Sequence, residues 1–204
     1  MSGLNLDTKQ DRLTRTAFVT IGATAGFRGL LQEVVSQKFL FMLKSLNFTN
    51  LVVQCGPDLE YFDTIRPRHA QESYGVEITA FSYAPELKKY FMQASRGEDE
   101  NGKRDCGVII SHAGSGSIIE ALEFDSKLVA VPNSDLMDNH QLEIAEEMET
   151  QGFLIHGTLG SVAEAVEKIN TMELRKWPPG PSPGSAYQEG GLWEAINELM
   201  PPSS

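Results

Sequence analysis

Short apolar runs alternate with helix-period segments along most of the chain, and this rhythm constrains the fold more than any other feature. AFVTI (17–21), LVVQ (51–54), VEITAF (76–81), CGVIIS (106–111) and KLVAVP (127–132) read as strands, with FLIHG (153–157) as a sixth. Between them lie Leu30, Leu31, Val34, Val35, Met42, Leu43 and Leu46 at helical spacing. PELKKYFMQA follows from Pro85, with proline placed for a first helical turn, and VAEAVEKI covers 162–169. Strands this short and this apolar, each followed by a helix, are buried on both faces. The expectation is an α/β fold, a doubly wound, mostly parallel Rossmann-like sheet.

In such sheets ligands sit beyond the carboxyl ends of the strands. Two turns predicted at that end are almost without bulk: GATAG (22–26) after the first strand, and SHAGSGS (111–117), where only His112 is large. Small residues let backbone N–H groups approach a ligand, and a helix mouth carries about half a positive charge. A phosphate or diphosphate is the natural guest, although small residues also serve close strand–helix packing. Neither GxxxxGK[ST] nor GxGxxG is present, so ATP hydrolysis and dinucleotide redox chemistry lack their fingerprints. Ser117-Ile-Ile-Glu120 has the form of a capping box; alternatively Glu120 accepts hydrogen bonds from a ribose diol. After the fifth strand, Asp138 with Gln141 repeats the capping pattern and crowds Asn139, His140 and Gln141 at a helix start. Amide and imidazole groups there suit a hydroxyl-rich guest. A diphosphate with a ribose on one side and a sugar on the other describes a nucleotide sugar.

Formal net charge is −11, which argues against broad nucleic-acid binding or adsorption to an anionic membrane. FLFML (39–43) is far too short to span a bilayer, and the first residues carry no apolar signal-peptide core. Cys55 and Cys106 are expected to be reduced and buried, and without CxxC or HExxH no metal site or cofactor is suggested. The expected organisation is a flexible leader (1–16), one nucleotide-sugar-binding domain (17–172), then a proline-rich segment and a terminal helix (173–204) with Leu192, Ile196 and Leu199 on one face.

VTIGAT (19–24), VIISHAGSGSIIEAL (108–122) and LMDNHQLEIAEEM (136–148) together resemble glycosyltransferase family 28, in particular the catalytic subunits of the eukaryotic UDP-N-acetylglucosamine transferase of dolichol-linked oligosaccharide synthesis. The chain is also similar to the donor half of the bacterial peptidoglycan N-acetylglucosaminyltransferase. The resemblance implies inverting transfer of N-acetylglucosamine from UDP-N-acetylglucosamine to N-acetylglucosaminyl-diphosphodolichol. It implies diphosphate binding by Gly22, Ala23 and Thr24 and by Gly114, Ser115, Gly116 and Ser117, with His112 alongside. It further implies ribose binding by Glu120 and reading of the sugar by His140 and Gln141, next to Asn139 of the same polar helix start. Phe81 to Tyr83, centred on Ser82, match the segment that holds uracil. A lipid-diphosphate acceptor and only one half of a bilobal enzyme imply a membrane-anchored partner subunit. That heterodimer would place an otherwise cytoplasmic chain at the cytosolic face of the endoplasmic reticulum. The catalytic base is then expected on the partner, with His112 and His140 as fallback candidates. The charged loop 95–105 has no counterpart that suggests a role.

Two rival readings remain at the level of sequence. Ala113-Gly114-Ser115-Gly116-Ser117 approximates a nucleophile elbow with Ser115 at its centre, with Asp135 or Asp138 and then His140 or His156 in hydrolase order. The GxSxG form, however, would place glycine at 113 and 117. The other rival is a non-catalytic module that only binds a nucleotide sugar.

Overall fold

The computed structural model describes residues 13–99, 102–124, 126–133 and 140–177, His140 by its backbone alone. Six strands hydrogen-bond into one parallel sheet: β1 (Thr16–Thr20), β2 (Asn50–Gln54), β3 (Glu77–Phe81), β6 (Val108–Ser111), β7 (Lys127–Ala130) and β8 (Ile155–His156). Their order is β3-β2-β1-β6-β7-β8, while β4 (Gly97–Asp99) and β5 (Gly102–Arg104) pair antiparallel as a separate hairpin. Successive strands therefore move outward from β1 in one direction and, after the hairpin, outward from β6 in the other. The reversal between β1 and β6 is the crevice where open α/β sheets bind ligands.

Side-chain alternation along the central strands sorts the core into two layers. Ala17, Val19, Leu51, Val53, Val108 and Ile110 face α1 (Arg28–Val34), α2 (Gln37–Ser45), α3 (Leu59–Ile65) and α7 (Val162–Thr171). Phe18, Val52, Ile109 and Leu128 face α4 (Lys88–Ala94), α5 (Ser115–Leu122) and α6 (His140–Thr150). Right-handed crossovers between parallel strands put helices on both faces in this way. The doubly wound expectation holds.

The amino end of the sheet is sealed by two cations that reach the carboxyl ends of α2 and α7. Arg15 donates to the carbonyls of Cys106 (2.9 Å) and Leu46 (2.6 Å) and to Asn170 Oδ1 (2.5 Å), and its guanidinium lies over the Phe48 ring. Lys127 Nζ donates to the carbonyls of Ile169 and Asn170 at the end of α7. Cations placed there satisfy the orphan carbonyls and oppose the helix dipole.

Four local expectations are corrected. The helical run 30–46 is two helices, because Ser36 leaves the helix and its hydroxyl accepts from the Phe39 N–H, capping α2. The helix read from Pro85 starts three residues later, at Lys88 with Leu87 as its N-cap; residues 83–87 instead form, with Lys88, the wall of a cleft. The loop 95–105 contains the β4–β5 hairpin, held to the segment just before β1, where Thr14 N–H donates to the Lys103 carbonyl and Asp105 N–H to that of Thr14. Both cysteines are free thiols, but only Cys55 is buried and Cys106 is half-buried. The proposed terminal helix lies outside the described residues, and among these no helix is long and apolar enough to cross a membrane.

Candidate functional site

Five of the eight buried polar side chains among the described residues gather at the carboxyl ends of the strands: Thr20, Gln54, Asp58, Ser111 and Asn133. Burying polar groups is costly unless each is paired or used. Thr20, Gln54, Asp58 and Asn133 tie together the turns that follow β1, β2 and β7, while Ser111 Oγ, at the end of β6, has no partner among the described residues.

Gly22, at φ +80°, lets the chain leave β1 without a clash, and its N–H donates to Thr20 Oγ (3.3 Å). The His112 imidazole sits against it. A Cβ at Gly22 would approach the ring to 2.9 Å, and one at Gly114 would come within 2.5 Å of Nε2. The two glycine-containing turns are thus spaced by one histidine ring. Burial lowers the His112 pKa, favouring neutral imidazole, while hydrogen bonding to the Thr20 carbonyl opposes that shift.

The two turns differ at their helix mouths. At α1, the mouth is occupied from within: Asp58 Oδ2 accepts the Phe27 N–H (3.0 Å) and Oδ1 pairs with Arg28 (2.9 Å). At α7 it is Glu33, reaching from α1, that accepts the N–H groups of Gly160 and Val162 (both 2.7 Å). At α5 no side chain among the described residues caps the helix; Gly114 is the extended N-cap, and the first intrahelical bond runs from Ile118 N–H to its carbonyl. The N–H groups of Ser115, Gly116 and Ser117 therefore open outward. The capping box expected from Ser117 and Glu120 is not formed, because the helix starts two residues earlier and Ser117 lies inside its first turn. A Cβ built on Gly116 meets nothing within 4 Å. Packing demands glycine at 114 but not at 116.

A cleft of about 640 Å³ lies beside this mouth, lined among others by Gly22, Ala23, Gln54, Tyr83, Gly116 and Glu120. Its far wall is the loop 83–88, with Lys88 and Glu86, and Phe91 lies on its apolar side. Phe81 and Tyr90 stack at 4.3 Å behind that wall. A second cavity of about 420 Å³, with Arg68 and His69, is at the opposite, amino end of the sheet, remote from every turn described above.

The structure brings together Gly22, Ala23, Gly116, Ser117 and Glu120 around one cleft, with Ser82 exposed next to Tyr83 at its edge. His112 and Gly114 form the floor between the turns. Gln141 lies apart: its Oε1 accepts the Asn133 N–H (3.4 Å), and Asn133 Nδ2 donates to the Gly26 carbonyl (3.0 Å). Asn139 and the His140 side chain are outside the described residues. Ser115 is the first residue of α5, and the left-handed residue of its turn is Ala113 (φ +64°). A nucleophile elbow strains the serine itself, so this geometry disfavours the hydrolase. Sequence reasoning missed Gln54, Asp58 and Asn133. Gln54 was visible as one polar residue ending the apolar strand LVVQ; Asp58 and Asn133 gave no signal beyond ordinary turn composition.

The family described as the glycosyltransferase family 28 C-terminal domain matches residues 16–182. The UDP-N-acetylglucosamine transferase subunit ALG13 of Yarrowia lipolytica is 35% identical over 150 residues, covering 73% of this chain and 68% of that one. Its namesake in Candida albicans is 26% identical over 221 residues, covering 92% of this chain and 66% of its own length. The chain thus spans about two thirds of these relatives. Two solved structures share the fold. An NMR solution structure of ALG13 superposes with TM-score 0.52 at 21% identity, covering 76% of this chain and 83% of that one. A crystal structure of Acinetobacter baumannii MurG gives TM-score 0.53 at 17% identity, covering 78% and 40%.

Proposed function

The chain belongs to the glycosyltransferase family 28 C-terminal-domain family, and from that premise we propose that it is the donor-binding subunit of an N-acetylglucosaminyltransferase. Residues 17–172 bind UDP-N-acetylglucosamine; the acceptor is N-acetylglucosaminyl-diphosphodolichol. The observation that carries this reading is the α5 mouth, open and uncapped at the reversal of strand order, beside a cleft large enough for a nucleotide. Relatives named as subunits of a UDP-N-acetylglucosamine transferase support the choice of donor.

The N–H groups of Ser115, Gly116 and Ser117 take the diphosphate, with Gly22, Ala23 and Thr24 approaching from the other side of the His112 ring. Because Asp58 already occupies the α1 mouth, that first turn contributes loop contacts and close approach rather than a helix terminus. Glu120, one turn into α5 and facing the cleft, accepts from the ribose diol. The loop from Ser82 holds the base, and Asn139, His140 and Gln141 read the sugar. In the reaction the acceptor hydroxyl attacks the anomeric carbon, the bond from that carbon to the diphosphate oxygen breaks, and configuration inverts. Charge grows on the departing UDP, where preorganised backbone donors stabilise it; one such contact is worth about 2–4 kcal/mol. His112, held toward the neutral form between two glycines, positions the turns. The proton of the acceptor hydroxyl goes to a base on a membrane-anchored partner subunit, which also supplies the acceptor site and holds this chain at the cytosolic face of the endoplasmic reticulum.

Reconstitution tests this reading. Transfer from UDP-N-acetylglucosamine to the lipid acceptor is expected only with both subunits present, and Glu120→Ala should raise KM for the donor. Tight donor binding without transfer in the reconstituted pair would leave a binding module in place of an enzyme.

A further inference from the structure

Gln54, Thr20 and Ser111 stand side by side, in register across β2, β1 and β6, on the sheet face that otherwise buries Phe18, Val52 and Ile109. Their exposures are 2%, 0% and 0%, so a polar row replaces apolar packing just below the cleft. Within it the hydrogen bonds run one way. Gly22 N–H donates to Thr20 Oγ, and the Thr20 hydroxyl donates to Gln54 Oε1 at 2.5 Å. Oε1 is the amide atom that faces Thr20, which leaves Nε2 as the free end of the side chain. The Nε2 hydrogens then have no acceptor among the described residues, although Gln54 lines the cleft. Ser111 Oγ is likewise buried without a partner.

Unlike Ser111 Oγ, the Gln54 nitrogen is not shut off from the cleft, so its hydrogens are available to an acceptor bound there. Gln54 sits on β2, on the opposite side of β1 from β6 and α5. It is therefore nearer the loop 83–88 than the phosphate-binding mouth. We propose that Gln54 is a ligand-reading residue, its Nε2 donating to an acceptor oxygen in the nucleoside part of the donor. The assignment rests on the donor-binding reading above and adds a contact to it. Through Thr20, that contact is linked to the Gly22 turn, so the nucleoside end and the turn beside the diphosphate share one hydrogen-bonded chain.

The test is titration of the full-length chain with UDP and, separately, with uridine, which has no phosphate. Gln54→Met removes the donor, Gln54→Glu at pH 8 keeps an acceptor for Thr20 but turns the donor into an acceptor, and Thr20→Val removes the two internal bonds, to Gln54 and from Gly22. Melting temperatures check folding in each. Both Gln54 variants are expected to weaken UDP about tenfold and uridine by a similar factor, and Thr20→Val by less than about threefold. If Gln54→Met binds UDP as tightly as the unchanged chain, or loses no more than Thr20→Val, Gln54 acts only within the fold and the proposal fails. Loss confined to UDP in Gln54→Glu, with uridine unaffected, reports charge repulsion and also overturns it. An unsubstituted chain that binds no UDP would refute the donor-binding reading itself.

Discussion

Replacing Gly116 with alanine should make the protein more stable and worse at binding. Gly116 is the second residue of α5, its backbone is not left-handed, and a Cβ there meets nothing within 4 Å. Alanine therefore gains the helix preference that glycine lacks, about 0.5–1 kcal/mol. For a chain of this size that raises Tm by about 1–4 °C. The same methyl group enters the space where the α5 mouth meets the diphosphate. Overpacking a formed site costs about 1–3 kcal/mol, which is about a 5- to 150-fold rise in the Kd for UDP. Thermal melting with and without UDP, joined to calorimetric titration, reads both effects on one sample. A Gly116→Ala chain that melts lower, or that binds UDP unchanged, would refute the claim that this glycine serves the ligand and not the fold.

The neighbouring glycine should behave in the opposite way. Gly114→Ala places a methyl 2.5 Å from His112 Nε2 and should cost about 1–3 kcal/mol. In a His112→Ala background the same change should cost almost nothing, a coupling that a double-mutant cycle in urea measures directly. Asp58→Ala leaves the Phe27 N–H and Arg28 without their acceptor and should lose about 1.5–3 kcal/mol in the same assay. His112 also makes stability depend on acid. Its pKa is lowered by burial, so below about pH 6.5 the unfolded chain binds a proton that the folded chain refuses. Stability should fall as pH drops from about 6.5 towards the lowered folded value, and His112→Asn should flatten that part of a Tm–pH curve.

The sheet was legible because its strands are short runs rich in β-branched residues, and the central ones are apolar on both faces, although the edge strand β3 exposes Glu77 and Thr79. Ser36 and Pro85 show where periodicity stops being enough. Helical spacing continues through residue 36, yet a serine that can cap its own successor divides the run. Pro85 fits a first turn, but the loop it belongs to is committed to the cleft wall. The turn at 111–117 was found from its lack of bulk. Its chemistry was only half legible, since Ser117 and Glu120 carry the pattern of a capping box whose helix in fact begins at Ser115. What decided between the two glycine turns was Asp58, thirty-one residues from the N–H it accepts. No local pattern announces such a contact, because it exists only after β1 and β2 pair.

Backbone amide NMR of the full-length chain during addition of UDP addresses the central claim most directly. The account predicts that the largest shifts fall on the N–H groups of Ser115, Gly116 and Ser117, with Phe27 nearly still because its N–H is already bonded to Asp58. Uridine should leave the three α5 amides unmoved. Shifts centred on Phe27, or on the cavity around Arg68 and His69, with α5 silent, would contradict it.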